Sequence, residues 1–155
     1  MQQGFTPSLK TQILQYFFND TPEVVSEPTP LFLGLFIDQG SAEPRELIID
    51  KDTGYARAPI EFSTQPDTGV IRNTNAVNFP VAKQDWTYGT SKITYVGIFK
   101  SHPVVDPETG TTYYVSDGTD DMDELVACIQ LPEAETVHQG ETFQFNPESI
   151  TLQLI

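Results

Sequence analysis

The residues with the clearest chemical potential form an acidic run, Asp117-Gly118-Thr119-Asp120-Asp121-Met122-Asp123-Glu124. Closely spaced carboxylate oxygens are the ligands that a hard cation such as Ca²⁺ prefers. The spacing differs from that of an EF-hand loop, because the glycine comes second and no glutamate stands at the twelfth position. We therefore interpret residues 117–124 as a solvated acidic loop, with a calcium site as the alternative.

Other residue types that could do chemistry stand alone in the sequence. His102 and His138 have no cysteine or acidic partner at ligand spacing, so we expect both on the surface. Cys128 lies in an apolar run and has no second cysteine to pair with, which predicts a buried thiol. There is neither a G-x-S-x-G elbow nor a glycine-rich phosphate loop before a helix. We expect no catalytic residue, no cofactor and no bound metal.

Aromatic residues are the remaining candidates for recognition. Tyr113 and Tyr114 are adjacent in a predicted strand, so they point to opposite faces and at least one of them should be exposed. Exposed aromatic rings stack on sugars or anchor protein interfaces. We expect Tyr113 and Tyr114 to be partner contacts, with carbohydrate binding as an alternative. Trp86 and Tyr88 are further candidates.

Composition limits the classes of partner. The 155 residues include 22 acidic and 8 basic side chains, a formal net charge of −14. That charge repels the phosphate backbone, so we expect no nucleic-acid binding. No apolar stretch approaches the roughly 20 residues that a membrane span requires, and we expect neither a membrane span nor a secretion signal. The length predicts one domain over residues 1–155.

The beginning of the chain has the pattern of a single amphipathic helix over residues 6–19. Thr6 can cap the first amides, and Pro7 suits the first helical position. A run of prolines and polar residues then predicts a loop up to Pro30. The residues that form the apolar stripe at helical spacing are Leu9, Ile13, Leu14, Phe17 and Phe18.

From Leu31 onward the pattern changes to short β-branched and aromatic runs separated by turn residues. We predict a mainly β fold, an antiparallel, jelly-roll-like β-sandwich with the N-terminal helix packed on it. Residues 31–37 are apolar on both faces and should form a central strand. There Gly34 would let a large ring, of Phe17 or Trp86, approach the backbone. The predicted strands are 31–37, 45–50, 58–62, 70–73, 76–79, 93–100, 111–115, 125–131, 141–145 and 149–154.

The segment 101–123 is predicted to be an extended hairpin followed by the acidic loop. Asp106-Pro107-Glu108-Thr109-Gly110 has the composition of a tight turn, since proline presets the first corner and glycine accepts a positive φ. Val104-Val105 and residues 111–115 would form its two arms. We refer to residues 101–123 as the insert.

The order of these segments resembles that of small all-β virion structural proteins of tailed bacteriophages, often called phage tail fibre proteins. The resemblance covers nearly the whole chain. It departs from the family pattern in the long insert and at Arg72, where a small residue is usual. The matching blocks are the helix from Leu9 to Phe18, the strand Leu31 to Phe36, Gly54-Tyr55-Ala56-Arg57, Asn73 to Pro80, Asp85-Trp86, Ile93 to Phe99, Gly140 to Phe145 and Ser149 to Leu154.

The resemblance implies a non-enzymatic structural component of the tail-fibre or baseplate region, which works by protein–protein assembly with other virion proteins. It also implies a core position for Trp86 and residence in the virion. The single cysteine is consistent with assembly in the reducing cytoplasm of the host. A homotrimer is our hypothesis for the oligomer. The alternatives are a capsid-decorating cement protein and a host-receptor or glycan-binding module with the insert at its tip. An enzyme acting on cell-wall sugars is the least supported.

Overall fold

The chain is mainly β, with antiparallel, curled sheets in a β-sandwich-like arrangement, which confirms the predicted fold class. The computed structural model describes residues 3–7, 9–11, 13, 30–40, 42–63, 70–114 and 122–153. Within them, no helix is long and apolar enough to cross a bilayer. The strands are β1 Gly4–Phe5, β2 Leu31–Gln39, β3 Ala42–Glu46, β4 Ala58–Ile60, β5 Val70–Arg72, β6 Val77–Asn78, β7 Ile93–Lys100, β8 Pro103–Val105, β9 Thr112–Tyr114, β10 Glu124–Glu135, β11 Gln144–Phe145 and β12 Thr151–Gln153.

The main sheet has six strands in the order β1-β10-β7-β2-β3, with β4 also paired to β2. Strand β2 pairs with β7 from Leu31 opposite Lys100 to Ile37 opposite Ile93. On its other side, β2 pairs first with β4 and then with β3. The predicted central position of residues 31–37 is therefore confirmed.

Shorter strand pairs complete the fold. Strand β5 pairs with β12, and β6 pairs with β11. Asn73 holds this region together from a fully buried position. Its amide donates to the carbonyl oxygens of Asn75 and Asn146, and its side-chain oxygen accepts from the Ile150 amide. Because buried polar groups are nearly always hydrogen-bonded, Asn73 fixes the approach of β12 to the chain around β5 and β6.

Alternation along the strands of the main sheet places two sets of apolar side chains on its two faces. The larger set forms the main core, which includes Leu33 and Leu35 of β2 and Val96 and Ile98 of β7. Trp86 is 3% exposed and belongs to this core, as the resemblance implied. The second set contains Phe32, Phe36 and Phe99, with Tyr95 and Leu125 packed against them.

Two glycines opposite each other make room for the rings on the second face. Gly34 and Gly97 are partners across β2 and β7. A Cβ atom on Gly34 would lie 2.8 Å from the Phe99 ring, and one on Gly97 would lie 2.5 Å from the Phe36 ring. Those two rings are nearly parallel, with centroids 6.2 Å apart. The ring that approaches Gly34 is thus that of Phe99 and not of Trp86, whereas Phe17 lies outside the described residues.

The N-terminal helix begins as predicted. Pro7, Leu9, Lys10, Thr11 and Ile13 are helical. The Leu9 amide donates to Thr6 Oγ1 at 3.3 Å, and the Lys10 amide donates to the Thr6 carbonyl oxygen at 3.0 Å. The rest of the predicted helix, residues 8, 12 and 14–19, lies outside the described residues. Strand β1, which lies immediately before the helix in the chain and pairs with β10, was not predicted from the sequence.

Several strand boundaries differ from the prediction. The strand predicted at 45–50 is β3, which ends at Glu46. Beyond it, the Leu47 amide still bonds to the Leu35 carbonyl oxygen, but the chain then turns away and Asp50 bridges to Tyr55. Strand β10 runs past the predicted end to Glu135 and includes Pro132. The proline is tolerated because the register of β10 against β7 is interrupted between residues 130 and 135.

We predict that Gly34→Ala lowers the free energy of unfolding by about 1–3 kcal/mol, because the added methyl group meets both Glu46 Oε1 and the Phe99 ring. Urea denaturation of the purified variant measures this. The control is Ala134→Val, which adds methyl groups at an exposed position of β10 and should change stability by less than about 0.5 kcal/mol. Equal stability of Gly34→Ala and the wild type would contradict the packing argument.

Candidate functional site

A cluster of buried and half-buried polar side chains lies where β2 changes partner from β4 to β3. It consists of Glu46, Tyr55, Arg57 and Asp123, and we call it the Arg57 cluster. The guanidinium binds Glu46 through two bonds, Nε to Oε1 at 2.8 Å and Nη2 to Oε2 at 2.9 Å. Nη1 donates to Asp123 Oδ2 at 3.2 Å. The guanidinium carbon also lies 3.6 Å from the centroid of the Phe99 ring, a cation–π geometry.

Tyr55 connects this cluster to the backbone of β2. A turn over residues 51–54, with Gly54 at φ 81°, delivers Tyr55 into the main core. Its hydroxyl donates to Glu46 Oε1 at 3.0 Å and accepts from the Leu35 amide at 2.9 Å. The Leu35 amide lies between the β4 and β3 pairings, so the hydroxyl takes the place of a missing strand partner. Burial, and next the negative charge of Glu46, raise the pKa of Tyr55 well above its ordinary value.

Asp123 joins both ends of the insert to the cluster. Its side chain is fully buried, and its Oδ1 accepts from the His102 amide at 2.9 Å while its Oδ2 faces Arg57. One carboxylate therefore holds the beginning and the end of the insert against the main sheet. The prediction of a solvated loop over residues 117–124 is wrong for Asp123, because the cation at Arg57 lets a carboxylate be buried there. Residues 117–121 lie outside the described residues.

The insert contains the predicted hairpin, with β8 and β9 as its arms. Its turn is held by the Asp106 amide bonded to the Thr111 carbonyl and by the Gly110 amide bonded to the Asp106 carbonyl. Tyr113 is 50% exposed, which fits the expected contact role without testing it. The backbone of Tyr114 pairs with Pro103, and its side chain lies outside the described residues.

The fold does not bring together the other candidate reactive residues, Cys128, His102 and His138. Cys128 is buried, and its burial raises the pKa of the thiol. His138 is exposed and lies 3.7 Å from Asp85, whereas His102 is half-buried at the base of the hairpin. Among the described residues, no group of three or more His, Cys, Asp or Glu residues could hold a metal ion. The local chemistry of the Arg57 cluster is that of paired, hydrogen-bonded charges, which hold structural elements together.

An open cleft lies beside the Arg57 cluster, and we call it the Trp86 cleft. Its volume is about 300 Å³. Two large apolar side chains on it are exposed: Ile48 by 82% and Tyr88 by 63%. Tyr88 was a candidate for recognition from the sequence, but Ile48 was predicted to lie inside a strand. The sequence therefore did not predict the cleft. The lining residues are Ile37, Arg45, Glu46, Leu47, Ile48, Asp50, Thr53, Tyr55, Asp85, Trp86 and Tyr88.

By fold, the chain is a β-sandwich-like domain whose buried charges hold its strands and its insert together. Comparison with protein families shows to which family the chain belongs. The family described as "Podophage GP4 fiber I protein gp80" matches residues 4–153. The chain therefore belongs to this phage tail-fibre family, and the resemblance seen in its sequence is confirmed. No curated protein matches the chain.

We expect Arg57→Leu to destabilise the fold by about 3–5 kcal/mol, because it leaves the buried Asp123 and the half-buried Glu46 without their cation. Chemical denaturation measures the change. Arg72→Leu removes an exposed arginine from β5 and serves as the control, with an expected change below about 0.5 kcal/mol. A loss under about 1 kcal/mol for Arg57→Leu would show that the ion pairs do not hold the fold.

A second prediction concerns alkaline pH. Because folding raises the pKa of Tyr55, its contribution to stability is intact below the unfolded pKa of about 10 and is lost as pH rises from there toward the folded value. Above about pH 10, the wild type should lose roughly 1.4 kcal/mol per pH unit more than Tyr55→Phe, which cannot ionise. Urea denaturation between about pH 8 and about pH 11 measures both slopes. Equal slopes of unfolding free energy against pH for the two proteins would contradict the claim that the Tyr55 hydroxyl is buried and neutral.

Proposed function

We propose that this chain is a non-enzymatic structural component of the tail-fibre and baseplate region of a podophage particle, and that it works by packing against neighbouring virion proteins. The observation that carries the proposal is the family match over residues 4–153. Membership of a phage fibre family implies a component of the virion. The finer location and the mode of assembly are our proposal.

The surface supports assembly through side chains rather than through strand edges. The outer strand β3 carries Pro44 between Glu43 and Arg45, and the far part of β10 carries Pro132 and Glu133. Proline and charged residues at an edge oppose pairing with a strand from another chain. Exposed apolar side chains occur elsewhere, and such residues supply the buried centre of protein interfaces. On the cleft and on the hairpin described above, they are Ile48, Tyr88, Val105 and Tyr113.

A homotrimer remains part of the proposal. Three copies related by a threefold axis would present the same side-chain surfaces to one another and to a symmetric fibre or shell. Because the formal charge of each copy is −14, contacts between copies would have to be mainly apolar, or bridged by a partner of opposite charge.

One observation favours a second function, in which the hairpin contacts the host surface. Tyr113 and Val105 are exposed by 50% and 60% on a ribbon that pairs with no other named strand among the described residues. Asp106 and Glu108 at its turn would repel an anionic glycan, so its ligand would be neutral or cationic.

Cryo-EM of purified particles from the phage that encodes this chain tests the proposal. We expect density for the domain in the fibre or baseplate region, contacting other virion proteins, in multiples of three copies. Density on the capsid shell would support the cement alternative instead. Exposure of the hairpin at a free tip, with no virion contact nearby, would favour receptor binding. Absence of the chain from infectious particles would overturn the proposal.

A further inference from the structure

The Trp86 cleft has a rigid aromatic floor. The rings of Tyr55 and Trp86 meet edge to face, with centroids 5.5 Å apart and planes at 83°. Trp86 Nε1 donates to the Thr53 carbonyl oxygen at 2.8 Å, and the Trp86 amide donates to the Val137 carbonyl at 2.9 Å. Since both rings are already ordered, a ligand that covers them loses little free energy to ordering the site.

Two apolar side chains on the rim of the cleft are exposed to solvent, so their burial contributes nothing to the stability of the fold. Ile48 and Tyr88 line the same cleft and are among the most exposed large apolar side chains of the described residues. Single exposed apolar residues are common on protein surfaces. Two of them on one cleft of about 300 Å³, which the buried rings of Tyr55 and Trp86 also line, offer a ligand apolar contacts.

The charged groups of the cleft are one cation, Arg45, and the three carboxylates of Glu46, Asp50 and Asp85, so acidic groups predominate. Glu46 is already bonded to Arg57, but Asp50 and Asp85 each have a carboxylate oxygen to offer. Asp50 Oδ1 accepts from the Asp52 amide at 2.8 Å, and no hydrogen bond to its Oδ2 is found among the described residues. Asp85 Oδ1 accepts from the Gln139 amide at 2.7 Å, and its Oδ2 is 3.7 Å from His138. These backbone bonds fix both carboxylates, so their second oxygens are available for a cationic group.

We propose that the Trp86 cleft binds an arginine or lysine side chain, carried on an aliphatic segment of a neighbouring virion protein. Such side chains combine an apolar stem with a charged head. The stem would lie against Ile48 and the ring of Tyr88, which can also attract the cation through its face. The charged head would pair with Asp50 and Asp85. This inference rests on the proposed assembly function and names the partner chemistry of one surface.

The net charge of the chain favours a basic side chain over other possible ligands of the cleft. The chain carries a formal charge of −14, which attracts a basic segment and repels a second copy of the chain, a phosphorylated glycan or a nucleic acid. The volume of about 300 Å³ lies at the lower end of ligand sites, so it fits a few side chains and not a folded domain. The cleft would therefore act as the anchor point of a larger contact.

The first test uses the peptide acetyl-Leu-Arg-Leu-amide as a probe, with ¹⁵N-labelled protein in an NMR titration. The matched control peptide has citrulline in place of arginine, which keeps the shape and removes the charge. We expect the amide signals of Ile48, Asp50, Asp85 and Tyr88 to shift with the arginine peptide, and binding of the citrulline peptide to be roughly threefold weaker. About 0.5 M NaCl should reduce the difference. Equal responses to both peptides, no shift at the cleft, or cleft shifts with the neutral sugar chitotriose alone would overturn the inference.

The second test separates this inference from the proposed function. A phage that lacks the gene is complemented with wild-type or variant chains, and the copies in purified particles are counted by mass spectrometry. We expect Tyr88→Ser combined with Asp85→Asn to reduce incorporation about tenfold, whereas Val81→Ser, an exposed apolar position outside the cleft, should leave it unchanged. The asparagine introduced by Asp85→Asn keeps an acceptor oxygen for the Gln139 amide, and circular dichroism checks the fold.

If the cleft variant enters particles as well as Val81→Ser does, the cleft inference fails and the proposed function stands. If even the wild-type chain is absent from particles, both fail, whatever the peptide titration shows.

Discussion

The structure depends on the burial of one guanidinium, that of Arg57. A lone buried cation would be very costly, so its position requires Glu46 and Asp123 to be brought to it, and each of them in turn requires the cation. Glu46 ends β3, Arg57 precedes β4, and Asp123 precedes β10. The cluster thus fixes the positions of three strands relative to β2 and β7. A polar arrangement of this kind favours one packing over others, since a different register would leave charges unpaired.

The same cluster links the core to the surfaces proposed for function. Through Asp123 it holds the His102 backbone, and with it the base of the hairpin. Through Glu46 and Tyr55 it supports the floor of the Trp86 cleft, which continues to Ile48 and Tyr88. The hairpin follows Lys100 at the end of β7, whereas Tyr88 precedes Ile93 at its beginning, so the two surfaces lie toward opposite ends of that strand. A domain built in this way can contact two different neighbours while keeping a rigid distance between them.

Much of the fold could be predicted from the sequence, because apolar periodicity reports which face of a strand is buried. Strands β2 and β7 and the hairpin turn at Asp106 were placed closely, since each has strong local signals. The Arg57 cluster was not foreseen. Its members come from separate parts of the chain, and a charged residue in a sequence is expected to be solvated unless the tertiary structure supplies a partner. The prediction for Ile48 was wrong for a related reason. An apolar residue next to a strand is expected to continue that strand, whereas Ile48 is exposed on the rim of the cleft.

The central claim is that Arg57 couples the insert to the main sheet, and native-state hydrogen exchange of wild type and Arg57→Met tests it most directly. The measured quantity is the protection of the His102 and Leu35 amides, which bond to Asp123 and Tyr55, against that of the Phe79 amide, which bonds to Phe143 outside the cluster. The account predicts that His102 and Leu35 lose protection together in the variant, and that they lose more than Phe79, whose loss is limited to the fall in global stability. Unchanged protection of His102 in the variant would contradict it.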